Sequence, residues 1–173
     1  MKYPGGTPTQ PEVIAVALSK LNIKPTDIFA DIGCGSGSVS ISAARLAKQV
    51  YAIDSRDEAI LAANENIKEC GITSIEVLKG EASQLLPALD IDCAFVGGSK
   101  NIEQVLEILT EKVTSFVVSA VRMETAVSAL AIMRQNNKFK ELLQIQLSRG
   151  SELAGGTMLR PENPVFLIVG GSC

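Results

Sequence analysis

The sequence predicts an α/β fold: a doubly wound, mostly parallel seven-stranded sheet finished by a C-terminal antiparallel hairpin. Three observations predict it. Short apolar runs alternate with stretches of helical period from Pro11 to Asn136. A glycine-rich turn, Asp31 to Gly37, stands between the first strand and a helix. The last two apolar runs, Phe139 to Leu147 and Val165 to Val169, have no helical pattern between them.

Each element has its own local signal. Thr9-Gln10-Pro11-Glu12 reads as a capping box, with Thr9 accepting from the third helical N–H and Glu12 reaching back. The helix it opens carries Val13, Ala17 and Leu21 at steps of four, with Val16 beside them, and Asn22 to Asp27 close it. Ile28 to Ile32 is the first strand, Ser36 to Ala47 a helix with small residues on one side, and Gln49 to Ile53 the second strand. Ser55-Arg56-Asp57-Glu58 offers a second capping box to a helix that runs to about Cys70, where Gly71 stops it. Ile75 to Leu78, Ile91 to Val96 and Ser115 to Ser119 are three further strands, with helices near Ile102 to Leu109 and Glu124 to Asn136. Strands separated by helices require right-handed crossovers and a parallel sheet covered on both faces. The stretch after Leu147 reads as a loop that reverses the chain, so the last strand is expected to run antiparallel to its neighbours. Neither a repeat nor a linker divides residues 1–173, which read as one domain.

Composition narrows the chemistry. Hydrophobic residues at 46% and charged residues at 20% exclude a disordered chain. Every apolar run is too short for a bilayer, and Met1 to Thr9 lack the hydrophobic segment of a signal peptide, so a cytoplasmic, non-membrane protein is expected. A net charge of −3 argues against non-specific nucleic-acid binding but leaves room for a small anionic substrate. The four cysteines form no C-x-x-C pair and histidine is absent, so no metal site is expected. Without histidine, Ser-His-Asp and Cys-His catalysis is impossible. Reactions that depend on binding and alignment remain.

The turn Asp31-Ile32-Gly33-Cys34-Gly35-Ser36-Gly37 carries the most information. Its glycines permit a tight bend and close backbone approach to a ligand at the carboxyl end of a strand. Asp31 can accept from a ligand ammonium, and Asp54, ending the next strand, from both hydroxyls of a ribose. A dinucleotide such as NAD is the rival, since it uses the same strand-turn-helix unit. Its fingerprint, however, is G-x-G-x-x-G around a pyrophosphate, whereas here the spacing is G-x-G-x-G with an acid directly before it. That acid would repel a pyrophosphate and attract the cationic methionine end of S-adenosylmethionine. S-adenosylmethionine is therefore the predicted cofactor. Glu81 and Ala82, after the third strand, are placed near its adenine, with a helix cap as the bland alternative for Glu81. Gly97 and Gly98, after the fourth strand, leave room above the sulfonium for a bulky acceptor.

Several segments together resemble one family. They are P-G-G-T-P-T-Q-P-E (Pro4 to Glu12), D-I-G-C-G-S-G (Asp31 to Gly37), Y-A-I-D (Tyr51 to Asp54), G-E-A (Gly80 to Ala82), V-G-G-S (Val96 to Ser99), S-R-G (Ser148 to Gly150) and G-T-M-L-R-P-E-N-P-V (Gly156 to Val165). Across nearly the whole chain the sequence resembles the precorrin C15-methyltransferases of cobalamin biosynthesis, within the class I S-adenosylmethionine-dependent methyltransferases. The resemblance implies a Rossmann-like fold and transfer of a methyl group to C15 of cobalt-precorrin-6B, with loss of the C12 acetate carboxyl as carbon dioxide. It implies donor binding at Thr9, Gly33, Cys34, Gly35, Ser36, Gly37, Asp54 and Ala82. It further implies a homo-oligomer, often a tetramer, and a C5-methylating activity as pathway partner. Two departures stand out. Only Met1 to Tyr3 precede Pro4, which leaves less chain to cover a cofactor, and Ser119 stands where relatives often carry Asn or Thr.

On the acceptor side, Arg122, Arg149 and Arg160 fall at strand ends or in the late loop, where arginines can pair bidentately with the carboxylates of a tetrapyrrole. Gly98 is placed with them. Lys100 reads more simply as a surface charge and Glu124 as a helix-start acid, and no catalytic residue is assigned. A methyltransferase for another small molecule or for RNA, and an NAD-binding protein, are the alternatives.

Overall fold

Five of the apolar strands are joined by helices into the parallel part of one sheet. In the computed structural model, which describes residues 1–5, 8–98 and 100–172, the chain begins with α1 (Pro11–Leu21), β1 (Ile28–Ile32), α2 (Ser38–Ala43), β2 (Gln49–Asp54), α3 (Asp57–Glu69) and β3 (Ile75–Lys79). It continues with α4 (Ala82–Leu85), β4 (Cys93–Val96), α5 (Ile102–Lys112), β5 (Ser115–Ala120) and α6 (Met123–Gln135). Four strands end it: β6 (Phe139–Ile145), β7 (Ser148–Leu153), β8 (Gly156–Pro161) and β9 (Val165–Gly171). The main sheet runs β3-β2-β1-β4-β5-β9-β6, and β7 and β8 form a separate two-stranded ribbon. β1 to β5 are parallel, and β9 is antiparallel to both β5 and β6. The doubly wound sheet and the reversed last strand are as the sequence predicts.

Period-two alternation sends successive side chains of the central strands to opposite faces. Phe29, Val50, Phe95, Val117 and Leu167 meet α1 and α2 through Val13, Ala17, Leu21 and Val39. The same face continues under α3 through Ala63 and Ile67. Ala30, Val96, Phe116, Val118 and Ile168 meet α5 and α6 through Leu106, Leu109, Ala129 and Met133. Each fully buried large side chain among these contributes about 1.5–3 kcal/mol relative to exposure. Because β1 and β4 are neighbours while their helices leave toward opposite faces, a crevice opens beyond their carboxyl ends.

Local signals differ from the structure in five places. Both capping boxes are displaced by one residue: Gln10 and Arg56 are the N-caps, and neither helix has a side-chain cap bond. At α1 the cause is Pro11, whose fixed φ makes it the first helical residue. α2 is shorter than Ser36 to Ala47, because Gly37 precedes it in the left-handed region at φ 77°. β4 begins at Cys93 rather than Ile91. The stretch read as a loop after Leu147 is the β7–β8 ribbon, whose strands pair from Ser148 with Pro161 to Leu153 with Gly156. Its two-residue turn uses Ala154 at φ 50° and Gly155 at φ 79°. That backbone normally calls for Asn-Gly or Asp-Gly, so Ala-Gly gave no hairpin signal.

Candidate functional site

A cavity of about 490 Å³ opens where the sheet reverses its winding. Its floor is the turn after β1, and the geometry there explains the glycines. Gly33 has φ 77°, and a Cβ on it would lie 2.6 Å from the Gly98 nitrogen and 2.8 Å from the Gly98 Cα. Only glycine lets the turn after β1 touch the turn after β4. The Gly33 and Cys34 amides donate to the Ile53 carbonyl at 2.8 and 3.0 Å, and the Gly97 amide donates to the Ile32 carbonyl at 2.8 Å. The three strand ends are thereby stitched together. Gly33, Cys34, Gly35 and Ser36 all line the cavity, and Gly37 sets the start of α2.

Asp31 is fully buried at the end of β1. Its Oδ2 accepts from the Ser40 amide at 2.9 Å and from the Ser40 hydroxyl. Its Oδ1 is buried without any partner. Burial pushes this carboxyl up to about 7, against the two hydrogen bonds from Ser40, and Asp54 pushes in the same direction. A buried carboxylate with an orphaned oxygen on a ligand cavity is suited to a cation brought by the ligand.

Asp54 is arranged differently. Oδ1 accepts from the Arg56 amide and Nε, and Oδ2 from the Gly35 amide and Arg56 Nη2, all at 3.1 Å. A carboxylate offers about four such positions, so all are taken. Burial raises this carboxyl, but hydrogen bonds from the Arg56 side chain and from the Arg56 and Gly35 amides hold it below the ordinary carboxylate range. A ribose diol can bond here only if the guanidinium gives way. The same guanidinium donates through Nη1 to the Gly5 carbonyl at 2.9 Å. Arg56 was missed in the sequence, although its position two residues after a strand-end acid was a usable sign.

The remaining residues distribute over two linked cavities. Glu81 and Ala82 line the first, and Glu81 accepts from Lys100 and, at 3.4 Å, from Asn101. Lys100 is therefore more than a solvated charge: it ties the turn after β3 to the segment after β4. A second cavity of about 270 Å³ shares Pro8, Thr9, Gly97 and Gly98 with the first, and Ser119, Arg122, Thr125 and Asn163 line its far side. Thr9 caps no helix and instead stands on the wall common to both. Ser99, within the V-G-G-S segment, lies outside the described residues.

Arg149 and Arg160 face each other across the ribbon. Arg149 donates to both Glu12 oxygens at 2.8 and 3.0 Å and to Gln10 Oε1 at 3.0 Å, so its guanidinium braces the start of α1. Gln10 in turn lines the second cavity. Arg160 is exposed, without an ion pair within 4.0 Å among the described residues. Glu124 lies in the first turn of α6, exposed and 3.7 Å from Arg122. No described helix is long and apolar enough to cross a membrane.

The doubly wound fold with its glycine turn is shared with a Thermotoga maritima SAM-dependent O-methyltransferase structure, 16% identical at TM-score 0.77 and covering 97% of this chain and 68% of that one. The family model for the precorrin methyltransferase domain matches residues 4–170, and the chain belongs to that family. It is 54% identical over 172 residues to a Methanosarcina acetivorans protein named "probable cobalt-precorrin-6B C(15)-methyltransferase (decarboxylating)", covering 95% of this chain and 94% of that one. A Methanosarcina mazei protein of the same name is 52% identical over the same shares. Among solved structures, a precorrin 8W decarboxylase from Methanobacterium thermoautotrophicum is 32% identical at TM-score 0.91, covering 98% of this chain and 94% of that one.

Proposed function

We propose that this protein transfers a methyl group from S-adenosylmethionine to C15 of cobalt-precorrin-6B and releases the C12 acetate carboxyl as carbon dioxide. The observation that carries the donor assignment is the orphaned oxygen of Asp31. It meets the ammonium of the donor's methionine end, while the backbone of Gly33 to Gly37 packs along the ligand. Asp54 addresses the ribose and Glu81 and Ala82 the adenine, with Thr9 and Gly97 on the side toward the acceptor. S-adenosylmethionine supplies, when bound, a methyl group on a sulfonium whose sulfur leaves as a neutral thioether.

The acceptor reading rests on the relatives together with the second cavity. Two cavities that meet at Gly97 and Gly98 can hold a donor and an acceptor on opposite sides of one thin backbone wall. A substituent without Cβ there lets reacting atoms approach closely, and alignment is the main requirement of such a transfer. Arg122 stands at the rim of the second cavity, where it can pair with a carboxylate of the macrocycle. We assign Arg149 and Arg160 to the same acceptor side, Arg149 acting through the Gln10 wall that it braces. Loss of carbon dioxide leaves its electron pair on the macrocycle, which then takes up a proton.

The direct test is incubation with cobalt-precorrin-6B and labelled donor, with product mass as the readout. One methyl gained and one carbon dioxide lost is expected; an unchanged mass assigns another acceptor. Calorimetry separates the cofactors: S-adenosylhomocysteine should bind and NAD should not, and the reverse result would overturn the donor assignment. We also read the chain as one subunit of a homo-oligomer, in which a second copy would cover Leu153 and Leu159, exposed on the ribbon. A monomer mass by light scattering would contradict that.

A further inference from the structure

α3 buries Ala59, Ala62, Ala63 and Ile67 against the sheet, and in the middle of this apolar face stands Asn66, fully buried. A buried carboxamide costs free energy unless its hydrogen bonds are made. Those of Asn66 go to segments remote from its own helix. The Lys2 amide donates to Oδ1 at 2.7 Å, and Nδ2 donates to the Lys2 carbonyl at 2.8 Å and to the Ser36 carbonyl at 2.9 Å. Asn64, by contrast, is exposed and bonds its own helix at the Ile60 carbonyl.

The pair of bonds to Lys2 takes the N–H and C=O of one residue, as a neighbouring strand would. It fixes where the backbone lies without reading any side chain. The third bond fixes the same carboxamide to the glycine-rich turn. Directly after Lys2, Tyr3, Pro4 and Gly5 form part of the lining of the donor cavity. Farther along, Arg56 holds the Gly5 carbonyl. Alanine would suit the apolar face of α3, so the helix itself has no need of an amide there.

We infer that Asn66 is a positioning residue of the donor site: its carboxamide latches the Met1–Gly5 strap to the glycine-rich turn, so that the strap covers the bound donor. This rests on the donor reading given above. Asn66 touches no reacting atom, and its effect on the reaction runs through the strap and through Ser36.

Two variants test it. Asn66→Ala removes the latch from the helix side, and a chain starting at Pro4 behind an initiator methionine removes Lys2 and Tyr3, the latched end of the strap, while leaving α3 intact. Each should weaken S-adenosylhomocysteine binding about tenfold, the scale of losing one or two net hydrogen bonds. With both changes combined, the loss should not exceed that of the larger single change. In turnover, KM for the donor should rise while kcat at saturating donor and KM for the acceptor stay near wild type, a split that general destabilisation would not give. Should Asn66→Ala fail to fold, the shortened chain decides. Binding within about twofold of wild type in the shortened chain, or fully additive losses, overturns the latch. Absence of S-adenosylhomocysteine binding by the unaltered chain overturns instead the donor reading beneath it.

Discussion

The side of the molecule that we assign to the donor and the side that we assign to the acceptor hold their charges in opposite ways. At the ends of β1 and β2, Asp31 and Asp54 are buried, each fixed by partners within 19 positions along the chain. At the ribbon and the start of α6, Arg122, Arg149 and Arg160 are exposed, and the ion pairs of Arg122 and Arg149 lie on the surface. Buried groups act in a low dielectric and cannot reorganise cheaply, whereas exposed pairs are screened and individually worth little. The donor half is thus built for one ligand fragment. The acceptor half can adapt to a large polycarboxylate through several weak contacts.

Substitution at Asp31 should give the largest effect and is the sharpest way to break this contrast. Asp31→Asn keeps the shape and removes the charge that we assign to the donor's ammonium, so donor affinity should fall roughly 100-fold or more. Its pH behaviour has two signs. Burial raises the carboxyl from 3.8 to about 7, so across that window the folded chain keeps a proton that the unfolded chain has lost. Stability of the free protein therefore falls as pH rises from 3.8 toward 7 and levels off above. Donor binding needs the carboxylate and should tighten over the upper part of the same window. Denaturation and calorimetry across pH read the two slopes, and both contributions should vanish in Asp31→Asn. A wild-type donor affinity that ignores pH between 5 and 8, the range in which a group near 7 titrates, would remove Asp31 from the site.

The arginines of the ribbon should show intermediate and small effects. Arg149→Ala unties Glu12 and Gln10, so KM for the acceptor should rise on the order of tenfold while donor binding changes by less than about twofold. Arg160→Ala, at an exposed position facing Arg149, should weaken acceptor binding only a few-fold. Steady-state kinetics with each substrate varied in turn separates these cases. If Arg149→Ala harmed donor binding more than acceptor binding, the division into two halves would fail.

The donor half was also the more legible in sequence, for a physical reason. Its central residues sit next to one another along the chain, so the spacing of Asp31, Gly33, Gly35 and Gly37 already describes a local turn. Gly33 shows the limit of that reading: the glycine was visible, but the backbone of Gly98 against it was not. Asn66 left no sign at all, because its partners are Lys2 and Ser36, separated from it by 64 and 30 positions. Arg149 lies on β7 rather than at a strand end or in a loop, and its bond to Glu12 spans 137 positions, which no periodicity encodes. The ribbon has the sequence pattern of a loop because Ala154 adopts a backbone that its residue type rarely advertises.

Cys34 acquires a particular meaning beside an alkylating ligand. It lies inside the glycine-rich turn and on the donor cavity. A sulfonium methylates soft nucleophiles, and a thiolate would be the softest one present. Burial, reinforced by Asp31 and Asp54, pushes the Cys34 thiol far above its ordinary range, so the sulfur stays protonated and unreactive at physiological pH. The two carboxylates assigned to hold the donor would therefore also protect the turn from being methylated by it. After long incubation with donor alone, the intact mass should remain that of the unmodified chain, and a methyl adduct mapped to Cys34 would show that the protection fails.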